Sequence, residues 1–369
     1  MFAIIIFIII LSVLVMIHEL GHFVMAKRAG IGVEEFGFGL PPRAWGKKVG
    51  ETIYSVNWLP FGGFVRLVGE DPTDKHRQDK DSFWVKSAGQ RGAVILAGVF
   101  MNFVLAVAIF YVVVFALGFK VNMPLIIDHD FKFTNESKQV WVTNVSPGSP
   151  AENSGMQAGD SIVSVDGVSI GSLDELQKIV RASEGHQLTL VIENSVNNKR
   201  RTISAVPAYN EALSAPALGI GLSELVSLNY ETPVQKIFSG FIHSYNTMDY
   251  SLRVLGQLIA YSVREHNISA VREGVAGPVG IAAATSQAVA FGPIAVLQLA
   301  GLLSLNLAFL NILPIPALDG GRFFFLVVEV ITRRRTHPVL EKWVHTIGFA
   351  LLIGLVLLIT YNDIVKLIK

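Results

Sequence analysis

The chain has no cysteine, and only 16% of its 369 residues are charged. Without cysteine there are no disulfides and no thiolate ligands. Any metal must therefore be held by His, Asp or Glu. Soluble domains carry about a quarter charged residues, and 51% of this chain is hydrophobic. That balance predicts a polytopic membrane protein. The net charge of +1 supplies no field for nucleic acid, so no nucleic-acid partner is expected. A basic stretch before the first hydrophobic segment is also missing, since the chain begins Met-Phe-Ala-Ile. A cleaved signal peptide needs such a stretch, so the first segment is expected to remain in the protein.

Within that segment, Phe2 to Ile17 holds no charge at all. His18-Glu19-Leu20-Gly21-His22 follows at once. On a helix, two histidines four apart project from one face and can grip one metal ion. Glu19 lies about 100° around the helix from His18, beside that face. The types and spacing suit zinc with a general base. A carboxylate inside hydrocarbon costs on the order of 3 kcal/mol, so its presence there points to chemistry. The bland alternative is two histidines bonded to other helices, with Glu19 paired to a basic residue.

Hydropathy predicts about four transmembrane helices, a membrane-associated β-hairpin and one inserted β-rich domain. Residues 1–28 form the first helix. Residues 29–90 form a loop with a hairpin over 36–68, a charged linker at Asp71–Asp81 and an interfacial anchor at Phe83-Trp84. Residues 91–119 are the second helix, and in its apolar span from Ala93 to Phe119 Asn102 is the one strongly polar residue. Residues 122–223 carry polar, glycine-punctuated strands and an amphipathic helix at Ser172–Ser183, suiting one β-rich domain. Residues 224–292 read as an amphipathic connector ending in a glycine-broken apolar stretch, Glu273–Ala283. Residues 293–332 are a third helix broken at Pro314-Ile315-Pro316, and residues 338–361 are the fourth.

A catalytic zinc takes three protein ligands and leaves one position open. Asp319 is the candidate for the third, because it follows the break at membrane depth, where a carboxylate signals a site. Its structural alternative is an N-cap of the second half-helix. His243, His266, His337 and His345 are further ligand candidates, outside the spans or near their ends. With one Zn2+ at His18, His22 and Asp319, Glu19 is the expected base for amide hydrolysis. Asn311, Asn102, Pro314 and Pro316 are assigned to substrate or oxyanion support. A helical substrate must unwind before it is cut, and an edge of the 36–68 hairpin can hold it extended.

The two segments His18-Glu19-Leu20-Gly21-His22 and Asn311-Ile312-Leu313-Pro314-Ile315-Pro316-Ala317-Leu318-Asp319-Gly320-Gly321 resemble the paired motifs of the site-2 proteases, intramembrane zinc metalloproteases. The likeness is strongest to the bacterial regulator-of-sigma-E protease type and covers essentially the whole chain. Ser87–Arg91 and Ala97–Asn102 resemble the start of its second span. Ser149–Asp160, with Leu218-Gly219-Ile220-Gly221, resembles a PDZ domain. The resemblance implies regulated intramembrane proteolysis of a single-span membrane protein, such as an anti-sigma factor already trimmed by another protease, with the PDZ domain contacting substrate. The chain departs from the type in having room for one PDZ domain rather than two.

Lys27, Arg28, Arg43, Lys47 and Lys48 lie in the first loop and Arg333-Arg334-Arg335 in the last. Basic short loops stay cytoplasmic. This puts both termini and the 122–223 domain outside and the metal site near the cytoplasmic face, and the resemblance implies that the membrane is the bacterial inner membrane. The competing functions are a catalytically silent PDZ-bearing scaffold and a zinc transporter.

Overall fold

The computed structural model describes residues 2–70, 75–194, 199–211, 213–267, 272 and 274–368. The start of the predicted linker, 71–74, and Glu273 lie outside them. The chain divides into two compact units, residues 1–113 with 243–369, and residues 114–242.

The first unit is built on helices whose apolar length exceeds what a soluble core needs. Among the described residues, four helical stretches are long and apolar enough to cross a membrane: Phe2–Arg28, Ala88–Ala116, Pro293–Ile312 and Val339–Lys366. We label the helices α1 (Phe2–Arg28), α2 (Ala88–Ala116), α8 (Pro293–Ile312) and α10 (Pro338–Ile368). The predicted break of the third span is present: α8 ends at Ile312 and α9 (Asp319–Thr332) begins seven residues later. Ile10, Leu14 and Ala300 tie α1 to α8, and Ala106, Phe110 and Leu305 tie α2 to α8.

Between α1 and α2 the chain makes two long strands, β1 (Val33–Val49) and β2 (Thr52–Leu67). Each bends on itself, so four short arms result. Val49 pairs with Thr52 and Lys47 with Tyr54 in one arm. Phe36 pairs with Tyr54 on one side and with Val65 on the other. The arm over residues 43–49 was not anticipated. Its Arg43-Ala-Trp-Gly-Lys-Lys sequence lacks the alternation of a half-buried strand, and residues 40–49 are indeed exposed. Glu35 anchors the bend. Burial pushes its carboxyl upward, but hydrogen bonds from Arg43, 3.0 and 2.5 Å long, carry it below the usual carboxylate range.

The connector differs from expectation only in its glycine-broken end. It folds into α5 (Pro233–Ile237), α6 (Ser239–Arg264) and α7 (Pro278–Phe291). The glycine-broken stretch becomes a helix because its cap comes from far away. Asp363 of α10 accepts the Gly277 and Gly280 N–H groups at 2.9 and 2.8 Å, satisfying two of the donors that a helix start leaves unpaired.

The second unit is a seven-stranded sheet of β3 (Lys120–Leu125), β4 (Asn135–Val145), β5 (Asp160–Val165), β6 (Val168–Ser169), β7 (Leu188–Asn194), β8 (Arg200–Ala205) and β11 (Ile220–Asn229). The order is β3-β11-β4-β5-β7-β8, with β6 paired to β5. Two three-residue strands, β9 (Ala208–Asn210) and β10 (Ala215–Ala217), pair separately. A one-turn helix, α3 (Pro150–Asn153), precedes β5. The helix α4 (Leu173–Ala182) starts at Ser172, whose hydroxyl accepts the Glu175 N–H, and it buries Leu176 and Val180 against Ile162, Leu190 and Ile192. The sheet extends beyond the expected 122–223, since β11 continues to Asn229.

At the edge of this core Asp160 is fully buried. It accepts from the Gln157 N–H at 2.9 Å, Asn194 Nδ2 at 3.2 Å and Arg201 at 2.7 Å. Removing such a carboxylate strands three donors. Asp160→Ala is expected to destabilise this unit by about 3 kcal/mol. Glu193→Ala, which breaks the exposed pair with Arg200, is expected to cost under about 1 kcal/mol. Amide hydrogen exchange in β5 and β7 measures both.

Candidate metal centre

The site begins with the register of α1. His18 and His22 share a face, and that face is turned toward α2, where both are buried. The approach is possible because neither helix has a side chain at the crossing. A Cβ on Gly21 would overlap the Ala97 carbonyl, and a Cβ on Gly98 would lie 2.7 and 2.8 Å from His18 Cε1 and Nε2 and overlap His22 Nε2. Gly98 is thus the floor of both imidazoles. Small residues at such crossings let membrane helices approach closely.

Asp319 arrives from the other side. Ile312 to Leu318 is irregular, and the first turn of α9 folds back against it. Cβ atoms on Gly320 and Gly321 would overlap the carbonyls of Ile312, Leu313 and Ile315. This explains the glycine pair after the aspartate. Asp319 Oδ2 lies 3.0 Å from His18 Nε2 and 3.4 Å from His22 Nε2. The two Nε2 atoms are 3.1 Å apart.

These three atoms fit a metal. Zinc bonds of about 2.0–2.1 Å at a tetrahedral angle set neighbouring ligand atoms about 3.3 Å apart. His22 Nδ1 donates to the Val94 carbonyl at 2.8 Å. Its Nε2 in the neutral ring therefore carries a lone pair aimed into the group. Asp319 Oδ2 is buried and makes no well-formed hydrogen bond. Electron-rich atoms facing one another at such distances call for a cation among them. Among the described residues, this is the one group of three or more such side chains close enough to share an ion.

Glu19 stands next to this group. Its Oε2 accepts the Val65 N–H of β2 at 3.1 Å. The same strand is stitched to α1 by Ser12 Oγ, which donates to the Pro60 carbonyl at 3.0 Å. Asn102 is also brought in, fully buried, with its amide nitrogen 3.3 Å from His18 Nδ1. Ser304 of α8 donates to the Asn102 carbonyl at 2.8 Å.

Asn311, in the last turn of α8, and Pro314 and Pro316, in the break, are not members of this ion-sharing group. Neither are His243, His266, His337 and His345. Pro316 packs instead against α10, where a Cβ on Gly348 would overlap its ring. The residues that composition and spacing did not single out are Gly98 and two backbone groups, Val65 N–H and Val94 C=O. Gly98 had a signal, four residues before the one polar residue of its span. The backbone groups had none.

The floor role of Gly98 has a direct consequence. Gly98→Ala is expected to weaken metal binding about tenfold or more. Gly89→Ala, on the same helix with open space around it, is expected to leave it unchanged. Metal content after dialysis against a graded chelator distinguishes the two.

Comparison with known proteins agrees with this geometry. The model of peptidase family M50 matches residues 6–355. Zinc metalloprotease RasP of Geobacillus kaustophilus is 29% identical over 440 residues, covering 99% of this chain and 98% of that one. RasP of Oceanobacillus iheyensis is 30% identical, covering 98% of each. A Clostridium perfringens chain with a zinc metalloprotease name is 34% identical over 354 residues, 96% of each. Among solved structures, the PDZ domain of an SdrC-like protein from Listeria innocua is 25% identical, covers 23% of this chain and 92% of that domain, and has a TM-score of 0.21. A family model spanning nearly the whole sequence, with relatives aligned end to end, shows that the chain belongs to peptidase family M50, the site-2 type of zinc metalloprotease.

Proposed function

We propose that this metalloprotease hydrolyses peptide bonds within transmembrane segments of single-span membrane proteins, using one zinc ion held by His18, His22 and Asp319, with Glu19 as general base. The convergence of those three ligand atoms among helices apolar enough to cross a membrane carries the proposal. A silent scaffold has no use for such a group, and a transporter would spread its ligands along a path.

When bound, zinc supplies an acidified water and a polarising charge for the scissile carbonyl. The chain's own residues do the rest. Glu19 takes the proton from water and passes it to the leaving amine. The Val65 N–H holds the Glu19 carboxylate in place. His22 is fixed as the Nδ1–H tautomer by Val94. Asn102 plays the matching part for His18. Its Oδ1 is buried without a partner among the described residues, and half a turn of the amide would present that oxygen to a His18 Nδ1–H. Both imidazoles then offer Nε2 to the metal.

The arm around Val65 pairs with Phe36 on one side only. Its other edge runs along α1, where Gly62 lies against Val15 and Gly63 against Met16. An unwound substrate added to that edge would pass Glu19 as an extended strand. Asn311, Pro314 and Pro316 are proposed to shape the far side of this path, with Asn311 the candidate for contact with substrate or oxyanion.

The basic residues of the first and last loops favour a bacterial inner-membrane location with the metal site near the cytoplasmic face and the β-rich unit, of PDZ type, outside. An anti-sigma factor shortened by a first protease is a substrate of the expected kind, with the PDZ unit contacting it.

Glu19→Gln is expected to abolish cleavage of a co-expressed single-span substrate while the purified protein keeps its zinc. Undiminished cleavage by that variant would remove Glu19 as the base. Membrane-protein fragments that accumulate with the variant and vanish with the parent chain would identify substrates.

A further inference from the structure

His345 belongs to no part of the chemistry described so far, yet it touches the loop that delivers Asp319. Ala317, two residues before the aspartate, sits at φ 78°, a left-handed conformation that an alanine resists. Something outside the loop must hold it. The other N–H groups around it are served locally: Ile315 N–H by the Leu313 carbonyl, Leu318 N–H by that of Ile315, and Gly321 N–H by that of Leu318. The Ala317 N–H alone goes to another helix, donating to His345 Nδ1 at 2.9 Å. One turn on, Gly348 lets α10 press against Pro316. The imidazole is itself oriented by Phe325, with ring centroids 5.7 Å apart.

We infer that His345 is a positioning residue for the metal centre: as the Nε2–H tautomer, it accepts the Ala317 N–H, fixes the left-handed turn and so aims the Asp319 carboxylate. An accepting Nδ1 places the proton on Nε2. That atom is buried without a protein partner among the described residues, and His345 lines a cavity of about 820 Å³ that also borders Ala317 and the charged groups of Glu70, Arg322 and Glu341. The inference rests on the assignment of Asp319 as a ligand.

The test measures zinc affinity of the full chain in detergent by competition with a chromophoric chelator. His345→Leu, which removes the acceptor, is expected to weaken zinc binding about tenfold or more. His345→Asn, whose side-chain oxygen reaches the place of Nδ1, is expected to stay within about threefold of the parent. Adding Ala317→Gly to the leucine variant is expected to restore most of the loss, because glycine adopts the left-handed turn unaided. A general folding defect would not be repaired that way. Where the leucine variant does not accumulate, His345→Gln replaces it, since its polar atoms lie near Nε2 and leave Ala317 unserved. Unchanged affinity in the leucine or glutamine variant overturns the inference, as does an asparagine variant equal to the leucine one. Asp319→Asn separates the two levels. If it keeps parental affinity, the ligand assignment itself fails; if it loses zinc while the His345 variants do not, only the role of His345 fails.

Discussion

Two imidazole nitrogens and a carboxylate oxygen face one another at 3.0 to 3.4 Å within the helical unit that carries the four apolar spans. Left to themselves such atoms repel, and in hydrocarbon their desolvation is expensive. Much of the local architecture follows from holding them there. Gly21 and Gly98 let two helices close to backbone contact. The Val94 carbonyl takes the one proton of His22 that must not point inward. Ser304 fastens α8 to the backbone of Asn102, so the third span is tied to the floor of the site before its own break is reached. The bonding is one-sided by design. The outer Nδ1 of each histidine is met by protein, and its Nε2 faces the other ligand atoms.

A membrane exacts a second constraint, because every exposed backbone group at that depth needs a partner. The six residues from Leu313 to Leu318 are free of helix, and their N–H groups are met by the Leu310 carbonyl of α8, by the loop's own carbonyls and by His345. The folded β1–β2 sheet meets the same demand differently. Its inner arms pair with each other, and the edge that remains is laid along α1, with the Val65 N–H given to Glu19. An edge strand is normally a liability. Here it sits beside Glu19, the proposed base.

How far these features were legible in the sequence depends on whether their cause was local. His18 and His22 could be paired from spacing alone, since a helix fixes which residues share a face. Asp319 could be nominated from its position after two prolines in an apolar run, although nothing in the spacing says which distant residue meets it. Gly98 could be placed one turn before Asn102, but its meaning lies in the rings that press on it. The helix α7 was missed because Asp363, more than eighty residues away, supplies its cap. The outer arm of β1 was missed because an exposed strand over residues 43–49 has no burial pattern to betray it. Backbone donors such as Val65 N–H leave no trace in composition at all.

The same geometry says which comes first, the metal or the arrangement that receives it. In small zinc domains the ion drives folding, because no preformed site exists. Here α1, α2 and α8 are joined by apolar contacts at Leu14 and Ala300 and at Phe110 and Leu305, by the glycine crossing, and by the Ser304 bond to Asn102. Apart from the contact of Gly98 with the two imidazoles, none of these includes a ligand atom. The two histidines are therefore set by helix association alone. Asp319 is the exception, because it hangs from a strained turn rather than from a packed helix face. Within this site the histidine pair is the fixed half and the aspartate the adjustable one. Control over the ligand set thus concentrates in the loop between α8 and α9 and in the helix α10 that presses on it.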